Sequence, residues 1–199
     1  MMQEEITTNK KWPVRDVRFL LCDTTGNVEL STPGEQWVST AIQCLNRAVE
    51  EHPPIIVVHF GRVPLREREA LVRLTATLKR NSYTQKSAVL ALLDARHRKL
   101  IEDLARARVD YVRFTGNPDL DSTLLRDIIK ELGPDDRLER HLAVLCPFLH
   151  YDVIDSEHEM TVCGAYLDRM VLGGRRLHEI CETEDHLHCE YYLNPRLES

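Results

Sequence analysis

Four cysteines and six histidines fall after residue 140 of this 199-residue chain, and their spacing poses the first chemical question. Cys146, Cys163, Cys181 and Cys189 are separated by sixteen, seventeen and seven residues, within "CPFLHY", "TVCGAY", "HEICET" and "HLHCEYY". Single cysteines converging from separate segments suit a 4Fe-4S cluster, whose four thiolate ligands need not pair in sequence. Structural zinc usually draws on ligand pairs spaced by about two to four residues. No such Cys pair exists here, so zinc would recruit His178, His186 or His188 beside Cys181 and Cys189. Disulfide or redox pairing is a third chemistry, disfavoured in a reducing compartment. A Cys/His nucleophile is not expected, because "DHLHC" supplies neither an oriented base nor a strained turn. The expectation is therefore one metal group on Cys146, Cys163, Cys181 and Cys189, a 4Fe-4S cluster first and zinc as the alternative.

The surroundings of these cysteines narrow the partners. Residues 133–199 carry six arginines against fourteen acidic residues, net −8, which leaves +2 for residues 1–132 of a chain whose charge is −6. Nucleic acid demands a basic footprint, and the cysteine-bearing segment has the opposite sign. The run "RHRK" at 96–99 reads as a solvated helix face. No apolar run reaches membrane-spanning length, and "MMQEEITTNKKWPVRD" lacks the apolar core of a secretory signal, so a cytoplasmic location is expected. The tail contains few large apolar residues, and a segment of that kind needs a covalent or metal staple to hold a fold.

Ahead of the tail, apolar runs of strand length alternate with amphipathic runs of helix length. "VRFLLCD" (17–23), "IIVVHF" (55–60), "AVLALLD" (88–94) and "DYVRFT" (110–115) read as strands, with a further short strand at "VEL" (28–30). Helices are expected over 34–52, 65–81, 96–108 and 120–133, where leucines and alanines recur at helical spacing. Strands that are apolar throughout, each followed by a helix, imply a three-layer α/β fold with a mostly parallel sheet of about four to five strands. Ligands of such sheets sit at the carboxyl ends of the strands, which singles out Asp23, His59, Asp94 and Thr115. Cys22 and Cys44 lie on a strand and on an apolar helical stripe and read as small core residues. No glycine-rich phosphate loop follows any strand.

The stretch 53–132 resembles the second half of a response-regulator receiver domain. "PPIIVVHFGRVP" is similar to that family's phospho-acceptor strand and loop, and "SAVLALLDARHRKLIEDLARARVDYVRFTGNPDLDSTLLRDIIKELG" to its last two βα units. The resemblance implies a flavodoxin-like, receiver-like fold. It places His59 where the family has its acceptor aspartate, leaves Asp23 alone where the family has an acidic pair, and finds no lysine in "RFTGN". A phosphorelay needs a carboxylate nucleophile and a divalent metal, so the resemblance implies a degenerate receiver used for docking or homodimerisation. The tail is likewise similar to cysteine-rich C-terminal segments attached to assorted bacterial proteins.

The reading is then a receiver-like domain over residues 14–133 followed by a Cys/His-rich acidic module over 137–199. A non-catalytic regulatory or adaptor protein with a protein partner is expected, its cluster serving redox sensing or structure. An electron-transfer subunit and a zinc-stabilised interaction module are the alternatives.

Overall fold

The computed structural model describes residues 18–26, 28, 35–116, 120–167 and 170–196. Five parallel strands form the main sheet: β1 (Phe19–Cys22), β2 (Glu35–Val38), β3 (Ile55–Phe60), β4 (Ala88–Leu93) and β5 (Tyr111–Phe114). Their order is β2-β1-β3-β4-β5, the flavodoxin-like order in which the chain switches direction of travel between β1 and β3. Every residue of β1 and β3 is buried, His59 included. That follows from cover on both faces.

One face of the sheet, with Leu20, Ile56, Val58, Val89 and Ala91, packs against α1 (Ala41–Glu51), α2 (Leu65–Arg80) and α3 (Arg98–Arg106). The opposite face, with Phe19, Leu21, Ile55, Val57, Leu90 and Leu92, packs against α4 (Ser122–Glu131). The three-layer α/β expectation holds. Cys22 and Cys44 are fully buried in the first of these cores. Cys44 is hydrogen-bonded to Cys22 and buried, and both effects push its thiol well above the ordinary value, as suits a packing residue.

The stretch 34–52 departs from the expected helix. Residues 35–38 are β2, and the helix begins only at Ala41, where Thr40 takes an extended conformation and its hydroxyl accepts from the Gln43 N–H. Trp37 therefore lies on an edge strand, 43% exposed, instead of on the helix stripe with Cys44 and Ala48. The strand expected at 28–30 lies mostly outside the described residues, as do residues 14–17 at the start of the expected first domain and 197–199 at the end of the second.

The C-terminal region starts inside the first core. Helix α5 (Leu138–Val144), expected in the cysteine module, buries Leu138 and the following Leu145 against α3 and the sheet. Beyond it the chain builds an antiparallel sheet in the order β6-β7-β8, from Leu149–Val153, Glu159–Cys163 and Met170–Val171. The β6-β7 hairpin turns on Asp155, whose carboxylate accepts from the backbone N–H groups of Glu157 and His158. Helix α6 (Gly174–Arg176) then runs into a wide π-type turn (Leu177–Cys181). A 3₁₀ turn (Glu184–His188) and α7 (Glu190–Leu193) close the chain. The buried centre of this region is Leu149, Ala165, Leu172 and three cysteines. With full burial of a leucine stabilising by about 1.5–3 kcal/mol, two leucines make a thin core. Among the described residues no helix is long and apolar enough to cross a membrane.

Candidate metal centre and the mouth of the sheet

The four tail cysteines arrive from four different elements. Cys146 follows α5, Cys163 ends β7, Cys181 ends the π-type turn and Cys189 precedes α7. The backbone joins the first and third directly, since the Cys146 N–H donates to the Cys181 carbonyl at 2.8 Å. Cys146, Cys163 and Cys181 share one buried cluster, ringed by Phe148, Tyr151, Tyr166, Tyr191 and Tyr192. Cys189 stands at its edge, half-buried.

Their charges are mutually felt. Burial pushes the Cys146 and Cys163 thiols up, and the neighbouring cysteines add to this. Cys181 is pushed up to about 12 by burial and then by Cys146, Cys163 and Cys189. Cys189 is the exception: burial raises it, but N–H groups of Tyr192 and Tyr191 and the Arg176 guanidinium, 3.9 Å from Sγ, bring it below the ordinary value. Arg176 is in turn stacked over the Tyr191 ring at 4.8 Å. Cys146, Cys163 and Cys181 are thus disfavoured as free thiolates.

Among the described residues no group of three or more His, Cys, Asp or Glu is arranged to hold a metal ion. A single zinc at 2.3 Å from each sulfur would bring its thiolates to within about 3.8 Å of one another. A four-iron cluster is a larger body, and its ligands stand farther apart. Two of the histidines weighed beside the cysteines have other partners: His178 Nδ1 lies 2.8 Å from Glu182 Oε2, and the buried His186 donates from Nδ1 to the Thr183 carbonyl at 2.6 Å.

The second constellation is at the carboxyl ends of the strands, and it joins all four residues singled out there. Asp23 follows β1, His59 lies near the end of β3, Asp94 follows β4 and Thr115 follows β5. His59 Nδ1 is 2.8 Å from Asp23 Oδ1 and its Nε2 is 3.4 Å from Asp94 Oδ1, which Thr115 Oγ1 also reaches at 3.4 Å. The fully buried Asp23 accepts further bonds from the Thr25 hydroxyl and the N–H groups of Thr25 and Gly26. Burial alone would lower the His59 value, but the two carboxylates outweigh it and hold the imidazole above its ordinary 6.5. Burial raises Asp23, and the bonds from His59 and Thr25 outweigh it, leaving it below the ordinary carboxylate value. A Cβ on Gly61 would stand 2.9 Å from the His59 ring and 2.9 Å from Thr25, so glycine lets the ring close this gap. The result is an imidazole ring bridging two carboxylates and tying three strand ends together. Its chemistry is that of a latch, with the ring enclosed on both nitrogens.

Between the two constellations lies a seam that the sequence reading treats as a solvated helix face. Arg96 donates to the Glu182 carbonyl at 2.5 Å, one residue past Cys181. Arg98 donates to the carbonyls of Leu142, at 3.3 Å, and Leu145, at 2.6 Å, the latter one residue before Cys146. His97 caps α3 by accepting the Leu100 N–H on Nδ1, which leaves Nε2 to donate to Glu159 on β7 at 3.1 Å, and its ring stacks on Tyr151 at 3.7 Å. Burial and the nearby Arg68 keep His97 below its ordinary value, in keeping with the neutral tautomer. Of the four residues 96–99, only Lys99 behaves as expected, pairing with Asp103 on the exposed face. A cleft of about 330 Å³ follows the seam, where Arg68 grips Glu159 from the other side at 2.5 Å.

No protein-family model matches this sequence, and no curated protein matches it. Among solved structures the chain is similar to the phosphorylated cyanobacterial phytochrome response regulator RcpA, at 16% identity and a TM-score of 0.37, over 56% of this chain and 87% of that one. The α/β class and the strand order stand on the sheet itself. At the carboxyl ends of those strands His59 is enclosed between Asp23 and Asp94.

Proposed function

We propose that this chain is a non-catalytic regulatory or adaptor protein, in which a receiver-like α/β domain presents a surface to a protein partner and Cys146, Cys163, Cys181 and Cys189 hold a 4Fe-4S cluster. The observation that carries the reading is the convergence of three cysteines from three elements into one small core, with Cys189 at its edge. The elevation of Cys146, Cys163 and Cys181 favours a cationic occupant over free thiolates there. When bound, a cluster supplies one-electron chemistry and folding free energy. The residues of this chain would set its surroundings: three ligands buried, and the fourth, Cys189, at the edge under the Arg176 guanidinium. The absence of a carboxylate nucleophile at His59, and the enclosure of its ring, support a regulatory role over a phosphorelay or an enzyme.

Anaerobic purification followed by iron, sulfide and zinc analysis tests this. About four iron and four sulfide per chain are expected, with loss of both on Cys181→Ser. Colourless protein with neither removes the cluster, and one zinc per chain would replace it with the zinc-stabilised interaction module.

A further inference from the structure

The cleft of about 330 Å³ lies where helices of the main sheet meet the β6-β7 hairpin, and neither the cysteines nor the His59 latch line it. Its walls come from α2, α3 and the hairpin, whose loop is pinned to the first residue of α2 by the Leu65 N–H, donating to the Ser156 carbonyl at 3.2 Å. A volume of this size at the junction of two regions is in the range of small-molecule pockets. The lining is of two kinds. Val72, Leu100 and Val153 supply apolar surface. Arg68, His97, Tyr151 and Glu159 supply polar groups, and the side chains of His97 and Glu159 are each only 15% exposed.

The partners of the polar residues define what a ligand must bring. Glu159 is engaged on both oxygens, Oε1 by Arg68 at 2.5 Å and Oε2 by His97 at 3.1 Å. His97 is engaged on both nitrogens, since its Nδ1 accepts the Leu100 N–H. Tyr151 accepts the Arg98 N–H at 3.0 Å, and among the described residues its own O–H donates to nothing. Arg68 engages Nη2 on Glu159 and has no other ion-pair or hydrogen-bond partner among the described residues. At the rim a single carboxylate, Asp103, faces two cations, Lys99 and Arg106. On the buried polar residues the acceptors are taken and the spare capacity is donor, beside a positive surplus at the rim. An anionic acceptor matches that inventory, because charge-assisted hydrogen bonds are the strong ones. The apolar residues call for a hydrocarbon body. We propose that this cleft binds a small monocarboxylate with an apolar body, its carboxylate on Arg68 and the Tyr151 hydroxyl and its hydrocarbon against Val72, Leu100 and Val153. Such a ligand touches α2, α3 and the hairpin at once, and so fastens the C-terminal region to the main sheet. The site does not depend on what the cysteines hold.

Titration of the full chain with phenylacetate, followed by two-dimensional amide NMR, tests this. Phenylacetamide, which has the body without the charge, phenethylamine, which has the opposite charge, and acetate, which has no body, are titrated beside it. Saturable shifts centred on Val72, Leu100 and Val153 are expected with phenylacetate, and the other three compounds are expected to bind at least about tenfold more weakly, as loss of a charge-assisted hydrogen bond implies. Val153 is 65% exposed, so Val153→Asp leaves the fold intact while setting a carboxylate on the wall of the cleft. That variant is expected to weaken phenylacetate at least about tenfold. Val171→Asp, also at an exposed position but outside the cleft, is expected to bind it as the parent protein does. Phenylacetate that fails to saturate by about 10 mM, that shifts residues elsewhere, or that is matched by the amine or by acetate overturns the proposal. Equal affinity in folded Val153→Asp overturns it as well.

Discussion

The sheet and the cysteine region solve the same problem with different means. Across β1, β3 and β4 nearly every side chain is buried and apolar, and two extensive cores lie on either side. The buried centre of the cysteine region is two leucines, an alanine and three cysteines, with Leu177, Met170 and aromatic rings packed around it. The first can fold on the hydrophobic effect, as a domain of ordinary size does. The second has a thinner apolar core, with three buried cysteines in it. The polar groups differ in parallel: His59 has a carboxylate at each ring nitrogen, whereas the neighbouring cysteines oppose the ionisation of Cys181.

Cys181→Ser gives the largest separation of the two regions. All bound metal is expected to be lost and exchange protection over 146–193 to collapse, while the sheet stays folded and loses only the seam contacts of Arg96, His97 and Arg98. Metal analysis with exchange mass spectrometry checks it, and a fall in both regions together would erase the distinction. Leu92→Ala, inside the α4 face, is expected to cost the sheet about 2–5 kcal/mol in urea denaturation without changing metal content. A protein that loses its metal on this change would show the regions to be one cooperative unit.

The latch gives a pH signature to the sheet alone. The His59 value is raised, so its contribution is fully present below the ordinary 6.5 and is lost as pH rises through the raised folded value. The Asp23 value is lowered, so its contribution is present above the ordinary 3.8 and is lost as pH falls through the depressed folded value. Stability of the sheet is thus expected to decline on the alkaline side of 6.5, and His59→Gln to flatten that slope. Urea midpoints measured across this range would contradict the latch if both proteins followed the same curve. The smallest effect belongs to Lys99→Ala, which breaks an exposed pair with Asp103 and is expected to change stability by about 0.3–0.5 kcal/mol, within reach of paired thermal melts.

How far each region could be read from sequence follows from the range of its interactions. β3 and β4 are apolar throughout, and that property is local, so their boundaries agree with the expectation within a residue. The meeting of Asp23, His59, Asp94 and Thr115 was also legible, because a parallel sheet brings strand ends together whatever the connections. β2 was hidden because Trp37 falls at helical spacing from Ala41, Cys44 and Ala48. Only the Ser39-Thr40 pair marks where the helix starts. In the tail, alternation in "LHYDV" and the Asp155 turn carried a hairpin signal that the cysteines overshadowed. The roles of Arg96 and Arg98 left no local trace. Their acceptors are carbonyls 44 to 86 residues away, and a carbonyl has no sequence identity.

The bond from Arg96 to the Glu182 carbonyl spans 86 residues, which orders events during synthesis. At about 5–20 residues per second, the ribosome needs roughly 4–17 s to make Glu182 after Arg96. Strands β1 to β5 can pair in that interval, so the sheet assembles with its β4-α3 connection still ungripped. The nascent chain therefore passes first through an arrangement without this bond, which becomes available only after the third tail cysteine, Cys181, has been made.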